Sequence, residues 1–148
     1  MTTIAVRAAR AGDAPALAAL STALGYPADA EQIAVRLDVL GERGQREAVF
    51  VAVDERDTAI GFVHIAVREE LVLPAYGMVE GLDIEPDWQR RGVGRALMAA
   101  AEAWAAARGV GFVKVRTRTE RAAAHAFYEG LGYETVKEQK VMRKRLAP

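Results

Sequence analysis

The chain of 148 residues contains no cysteine, and this absence removes several classes of site at once. Disulfides, cysteine zinc sites and a cysteine nucleophile are excluded, and the composition is compatible with a cytoplasmic location. Histidine is also scarce, since only His64 and His125 are present. Because these two lie far apart in the sequence, we expect no zinc site and no other bound metal.

An excess of charge of either sign is also lacking. Twenty basic side chains balance twenty acidic ones, so the formal net charge is zero. A neutral chain gives no support for bulk binding of nucleic acid or of a membrane surface. No apolar run approaches the length of a membrane span, and the first residues show no secretory signal. We therefore expect neither nucleic acid nor a membrane as a partner, and one domain over residues 1–148.

Hydrophobic periodicity and turn residues predict an alternation of strands and helices. The predicted strands are Ile4–Arg7, Ala48–Val53, Ala59–Val67, Met78–Ile84 and Gly111–Thr117, with two more around Thr135–Gln139 and Val141–Leu146. The predicted helices are one capped by Asp13, one capped by Asp29, Gly94–Gly109 and Glu120–Tyr133. Strands joined through a helix should run parallel and hairpin strands antiparallel. The sequence thus predicts a mixed α/β sheet with helices on both faces.

The segment QRRGVG, Gln89 to Gly94, lies between the fourth strand and an alanine-rich helix. The first N–H groups of a helix have no internal partner, and the helix dipole is positive there. Gly92 and Gly94 allow a ligand to approach those donors, and three arginines add positive charge nearby. The segment therefore predicts an anion site, with a tight strand-to-helix turn as the plainer alternative.

Two common nucleotide motifs do not fit this segment. A dinucleotide fingerprint needs a third glycine where Leu97 stands, and an acidic residue about 20 positions on, where the chain has Lys114. A P-loop needs Gly-Lys-Ser/Thr, which is absent. A phosphate ligand of another kind stays open at this point.

Several motifs together resemble the GNAT superfamily of acetyl-CoA-dependent N-acyltransferases. QRRGVG matches the Gln/Arg-x-x-Gly-x-Gly/Ala signature, and AAAHAFYEGLGYE is similar to the later A-x-x-FYExLGF helix. VRAARAGDAPALAAL resembles the opening strand and helix, and VMRKRL resembles the closing strand. The resemblance covers nearly the whole chain, and it implies a mostly antiparallel sheet with a splayed parallel central strand pair.

The resemblance also implies how acetyl-CoA is held. Main-chain amides of the loop would grip the pyrophosphate, and the fourth strand would pair with the pantetheine arm as an added strand. The residues so implied are Leu82, Asp83, Ile84, Gln89, Arg90, Arg91, Gly92, Val93, Gly94 and Arg95. Many members carry Asn where this chain has Arg121, so the contact made by that Asn is not expected here.

Acetyl transfer to an amine needs a base, because an amine resembling lysine has a pKa of about 10.4 and is protonated at neutral pH. Glu80 is the predicted base, acting through water, and Asp83 is the alternative; Glu80 could also be a salt-bridged structural carboxylate. A strand period of two would place Glu80 with Leu82 and Ile84, on the face opposite Asp83, unless a bulge intervenes. Tyr128 corresponds to the superfamily's usual general acid. With no cysteine present, direct attack in a ternary complex is expected rather than an acyl-enzyme.

The acceptor is predicted from four carboxylates within eight positions, at Glu80, Asp83, Glu85 and Asp87. They would attract a small cationic primary amine, such as a polyamine, an amino-sugar antibiotic or an amino-acid-like metabolite. Alternatively, they only neutralise the loop arginines. A non-catalytic acyl-CoA-binding or regulatory module on the same fold is the second functional class. The resemblance further suggests a homodimer.

Overall fold

The computed structural model describes residues 4–147 and divides the chain into two compact units, Met1–Arg116 and Thr117–Pro148. The first unit holds a five-stranded sheet with helices α1 to α3, and the second holds helix α4. One domain over residues 1–148 stays a prediction.

The sheet of the first unit keeps the order of the chain from edge to edge. Its strands are β1 Ala5–Ala8, β2 Glu47–Val53, β3 Ala59–Arg68, β4 Tyr76–Ile84 and β5 Val113–Val115. Neighbours are antiparallel except β4 and β5, which run parallel because a helix connects them. The predicted mixed, mostly antiparallel sheet with one parallel pair is confirmed.

Helices cover both faces of this sheet, as predicted. The helices are α1 Ala14–Ala23, α2 Ala30–Glu42, α3 Val93–Ala107 and, in the second unit, α4 Ala122–Gly130. The predicted cap of α2 is confirmed, because the Asp29 carboxylate accepts from the Gln32 N–H at 2.8 Å and the Gln32 side chain accepts from the Asp29 N–H at 3.0 Å. This reciprocal pair satisfies two donors that the helix itself cannot satisfy.

One sheet face packs against α1, and we call it the α1 face. Leu17 and Leu20 of α1 form a buried cluster with Val51 and Val53 of β2, and Phe62 of β3 packs against that cluster. Side chains of alternate residues on each strand therefore point to this face.

The opposite face packs against α3, and we call it the α3 face. A Cβ added at Gly61 would come within 3.3 Å of Leu97, and one added at Gly77 within 3.2 Å of Ala105. Both helix residues are fully buried. Because these two glycines have no side chain, α3 lies directly on β3 and β4. This close packing fixes the position of the first turn of α3 relative to the sheet.

The role predicted for Asp13 is wrong in detail. Its side chain does not cap α1; it binds the Arg7 guanidinium through two contacts of 2.8 Å and accepts from the Arg10 N–H at 2.8 Å. Burial alone would raise the pKa of Asp13, but the hydrogen bonds from Arg7 and Arg10 outweigh it and hold that pKa below its usual range. Asp13 thus joins β1 to the start of α1 as a buried carboxylate that stays ionised.

We expect Asp13→Asn to lower the free energy of unfolding by about 2–3 kcal/mol, because it leaves a partly buried guanidinium without its main partner. Since the folded-state pKa is depressed, the pair's contribution is complete at neutral pH and is lost as the pH falls below the unfolded-state value of about 3.9. Urea unfolding at pH 7 and pH 3 measures both effects.

Asp57→Asn is the matched control, because Asp57 binds the same Arg7 at 3.0 Å but is 55% exposed. It should cost less than about 1 kcal/mol. Equal losses from the two variants at pH 7 would contradict the assignment of Asp13 as the stabilising partner.

The second unit contains α4 but neither of the two closing strands, so that prediction is wrong for the described part of the chain. The exposed apolar side chains there are Val136, Val141, Met142 and Leu146. Basic residues lie beside them in the sequence, and these short mixed runs were the basis for predicting the two strands. A strand also requires main-chain pairing with a neighbour, however, and the pattern cannot supply that.

Candidate functional site

Strands β4 and β5 separate after a short stretch of pairing. Gly77, Met78 and Val79 are paired with residues 113–115, whereas β4 continues to Ile84 on the β3 side alone. Among residues 4–147, no strand pairs with the other edge of residues 80–84. The main-chain groups of that edge are available to a ligand that pairs as a strand does. Leu82, Asp83 and Ile84, the residues predicted to meet the pantetheine arm, lie there.

A β-bulge occurs where the two strands part. His64 is opposite Gly81 and the next residue, Ile65, is opposite Val79, so Glu80 is an extra residue on β4. A bulge of this kind bends its strand and changes which face the following side chains occupy. The splay and the bulge therefore begin at the same residue.

The bulge overturns the predicted face of Glu80. The Glu80 carboxylate contacts Arg68, and Asp83 is opposite Phe62, so both acids lie on the α1 face. Leu82 and Ile84 are opposite Val63 and Gly61 and lie on the α3 face. Glu80 and Asp83 thus share one face, and Glu80 does not share one with Leu82 and Ile84.

Glu80 is held by two arginines that flank the start of the splay. Arg68 Nε donates to Oε1 at 3.0 Å, and the Arg116 guanidinium, just past β5, lies 3.5 Å from Oε2. Glu80 also raises the pKa of Arg68, mainly through its hydrogen bond. The alternative interpretation, in which this carboxylate neutralises the loop arginines, is wrong for Glu80, because its partners are Arg68 and Arg116. Two arginines in these positions hold the Glu80 carboxylate in place beside the start of the splay.

The predicted anion loop follows β4 directly. Pro86–Trp88 forms one 3₁₀ turn, and the Gln89 side chain donates to the Ile84 carbonyl at 3.2 Å, which ties the loop to the end of the strand. Arg90 and Gly92 both adopt left-handed conformations, with φ of 62° and 84°. The Arg91 guanidinium lies 5.2 Å from the centre of the Trp88 ring.

Helix α3 begins immediately after Gly92. The Ala96 N–H donates to the Gly92 carbonyl, so the N–H groups of Val93, Gly94 and Arg95 belong to the first turn, where a helix has no internal acceptor for them. Val93 and Gly94 are buried, while Arg95 is exposed. A Cβ added at Gly92 would meet no atom within 4 Å. No side chain at Gly92 covers the start of the helix, and a helix start of this kind suits an anionic group such as a pyrophosphate.

A polar pair that the sequence did not single out lies on the α1 face. His64 Nε2 is 3.0 Å from a Glu47 carboxylate oxygen, and Arg43 contacts the other oxygen at 3.3 Å. Burial of Glu47 would raise its pKa, but the hydrogen bonds from His64 and Arg43 lower it overall. The predicted strand began at Ala48, one residue after Glu47. The positions of Glu47 and His64 in the sequence therefore did not indicate that they meet across two neighbouring strands.

In the second unit, Tyr128 lies on α4 and its ring packs edge-on against two aromatic neighbours. The ring centres of Phe127 and Tyr133 are 5.0 Å and 5.7 Å away. Arg121, which stands where many superfamily members carry Asn, is the residue preceding α4. Contact with these two aromatic rings holds the ring of Tyr128 in place within the second unit.

Residues 4–147 contain neither a candidate membrane span nor a candidate metal site. No helix in that range is long and apolar enough to cross a membrane. No group of three or more His, Cys, Asp or Glu side chains in the same range is placed to hold a metal ion.

Comparison with known proteins gives a consistent picture. A family model described as "Acetyltransferase (GNAT) family" matches residues 18–133. An aminoglycoside N(6')-acetyltransferase type 1 from Stenotrophomonas maltophilia is 31% identical over 147 residues, which is 97% of this chain and 94% of that protein.

Solved structures agree with the fold. An aminoglycoside N-acetyltransferase in complex with CoA superimposes with a TM-score of 0.85 at 21% identity, over 99% of this chain and 97% of its own. A protein from Bacillus halodurans C-125 described as a transcriptional regulator gives a TM-score of 0.84 at 19% identity, over 96% and 100% of the two chains. At these identities the likeness concerns the fold alone.

Proposed function

The chain belongs to the GNAT acetyltransferase family, and from this premise we propose that its acceptor is a primary amine of an aminoglycoside. Membership makes it an acetyl-CoA-dependent N-acetyltransferase, which confirms the predicted family, reaction class and donor. The observation that carries the acceptor proposal is the 31% identity, over 97% of the chain, to an aminoglycoside N(6')-acetyltransferase.

The α1 face gives physical support for a cationic acceptor. Glu80 and Asp83 both lie on that face, next to the point where β4 and β5 part. Glu80 is already paired with Arg68 and Arg116, so the negative charge of Asp83 is the part of this surface proposed to favour a polycationic sugar over an anionic acceptor. The similarity to an aminoglycoside acetyltransferase narrows the small cationic amine predicted from the sequence to an aminosugar.

The donor is proposed to lie along the open edge of β4 with its pyrophosphate at the start of α3. The left-handed Gly92 and the first-turn amides form an anion cradle, and residues 82–84 offer main-chain groups for the pantetheine arm. These two sites are consecutive in the chain, so one extended molecule can occupy both. Gln89, Arg90, Arg91 and Arg95, which are next to the cradle in the sequence, are proposed to contribute to the same donor site.

For the chemistry we propose direct attack of the amine on the thioester. Glu80, held between its two arginines, orders the water that removes the proton from the amine, and Asp83 is the alternative base. Tyr128 is the proposed acid that protonates the leaving thiolate, on the strength of the FYEGLGY motif. A cytoplasmic location, a homodimer and the absence of nucleic-acid and membrane partners stay predictions.

The acceptor is tested with purified protein, acetyl-CoA and a panel of amines, following the release of free thiol. We expect kcat/KM for an aminoglycoside with a 6'-amine to exceed the values for spermidine, free amino acids and lysine peptides. The matched control is an aminoglycoside with a hydroxyl in place of the 6'-amine, which should gain no acetyl group at that position.

Two outcomes would overturn the proposal. A kcat/KM for peptides above that of every small amine would refute the aminosugar acceptor. Tight acetyl-CoA binding with no transfer to any amine would favour the non-catalytic module instead, a class that the same fold can host.

A further inference from the structure

The polar pair of His64 and Glu47 is a feature that the proposed reaction has not yet used. The two residues come from neighbouring strands, where Val49 is opposite His64 and Glu47 is two residues away on the same face. Glu47 is only 8% exposed and His64 is 22% exposed. A carboxylate this buried needs partners, and His64 and Arg43 provide them.

Glu47 fixes the tautomer of His64. Its lowered pKa keeps the carboxylate ionised, and an ionised carboxylate only accepts hydrogen bonds. Nε2, 3.0 Å away, must therefore carry a hydrogen, and in the neutral imidazole Nδ1 then has a lone pair. Within residues 4–147, Nδ1 makes no hydrogen bond. The arrangement is that of a base oriented by a buried carboxylate.

The position of His64 places this base beside the splay. His64 is directly opposite Gly81, which follows the bulged Glu80 on β4. Gly81 has no side chain to cover the imidazole, and its own added Cβ would first meet the Phe62 ring at 3.5 Å. A small polar group over Gly81 would lie between His64 and the strand edge proposed to hold the thioester arm.

We propose that His64, oriented by Glu47, is the residue that receives the proton lost by the acceptor amine. This inference rests on the proposed acetyl transfer. Both oxygens of Glu80 are engaged by arginines, so Glu80 suits the ordering of a water better than the storage of a proton. An imidazole whose second nitrogen keeps a lone pair can take up a proton and release it again, and so suits reversible proton storage.

The proton balance is complete with these residues. The ammonium gives one proton through water to Nδ1 of His64, which later releases it to solvent. The neutral nitrogen attacks the thioester carbonyl; the C–N bond forms, the C–S bond breaks, and the thiolate leaves. The second proton lost from the nitrogen balances the one that the thiolate gains, and the net products are the amide, the free thiol and one proton.

Several charges on neighbouring elements act on the imidazolium. Those on the α1 face of the sheet and at its margins include Arg7 on β1, Glu47 on β2, Arg68 on β3, Glu80 and Asp83 on β4, Arg43 after α2 and Arg116 after β5. Arg7 is itself paired with Asp13 and Asp57. Glu47 is in direct contact and stabilises the charged form. Arg68 opposes that effect but is itself paired with Glu80.

We expect His64→Gln to lower kcat by about 100-fold, the lower end of what a general base contributes, and to remove the acidic limb of the pH–rate profile. Glu47→Gln should move that limb to lower pH, because the imidazolium loses its counter-charge. Glu80→Gln should slow turnover yet keep the limb. His125→Gln, the matched control in the other unit, should change neither kcat nor the limb. A His64→Gln enzyme that retains both kcat and the limb overturns the proposal.

Because a variant can lose activity by folding poorly, a second test measures the tautomer of His64 directly and does not depend on turnover. With His125 replaced by Gln, His64 is the sole histidine, so ¹⁵N chemical shifts of the two ring nitrogens report its tautomer directly. We expect hydrogen on Nε2 at pH 8; hydrogen on Nδ1, or a mixture, would overturn the inference. A wild-type protein that acetylates no amine would instead refute the proposed function, and the inference with it.

Discussion

Replacing Gly92 with Asp is expected to weaken acetyl-CoA binding by at least about 100-fold, or about 2.7 kcal/mol, while the protein stays folded. Gly92 precedes α3 in a left-handed conformation, and a side chain added there would enter open space next to the start of the helix. Asp tolerates left-handed backbone better than most residues, so folding should survive. Its carboxylate would stand where the pyrophosphate is proposed to lie and would repel it.

Gly109→Asp is the matched control for this variant. Gly109 also has a left-handed φ, of 79°, and an added Cβ there would meet no atom within 4 Å, but it follows the opposite end of the same helix. The two variants therefore carry the same kind of backbone strain, but Gly109→Asp leaves the proposed cradle unchanged. Calorimetric titration of both folded variants with acetyl-CoA should show the loss in Gly92→Asp alone. Equal affinities would refute the pyrophosphate assignment.

This loop was predictable from the sequence because its signals are local. A proline after the strand, two closely spaced glycines and an alanine-rich run each act within a few residues, and the structure places β4, the turn and α3 where they indicated. The Asp29 cap was predictable for the same reason, since both partners of its reciprocal hydrogen bonds lie within four residues.

The face of Glu80 was not predictable, because a bulge depends on two strands. Period-two reasoning places Glu80 with Leu82 and Ile84, but the extra residue opposite β3 shifts the alternation and brings Glu80 onto the face of Asp83. The pairing of Glu47 with His64 likewise depends on the register of β2 against β3, which spacing within one strand does not contain. Which acidic and basic side chains meet on the α1 face is therefore decided by the pairing of the strands and cannot be read from one strand alone.

Asp13 illustrates a competition that local rules miss. A carboxylate just before a helix is a good cap by propensity, yet Arg7 on β1 offers two charge-assisted hydrogen bonds at 2.8 Å. These are stronger than one bond to a helix N–H, so the side chain binds the strand and not the helix.

Removing the hydroxyl of Tyr128 is expected to lower kcat by about 100-fold or more, with little change in acetyl-CoA affinity. A thiolate leaving from the thioester needs a proton, and a phenol can supply it, whereas phenylalanine cannot. The ring of Tyr128 is packed edge-on between Phe127 and Tyr133, and Tyr128→Phe preserves both contacts. A large fall in kcat would therefore report lost chemistry and not lost packing.

Tyr133→Phe supplies the comparison, because Tyr133 belongs to the same aromatic group and also carries a phenol. Its replacement should leave kcat within a factor of a few. Thiol release under saturating acetyl-CoA and aminoglycoside measures kcat for both variants, and titration with acetyl-CoA measures affinity. If Tyr128→Phe turns over at the wild-type rate, Tyr128 serves only to pack α4, and the proton for the thiolate must come from another group or from water.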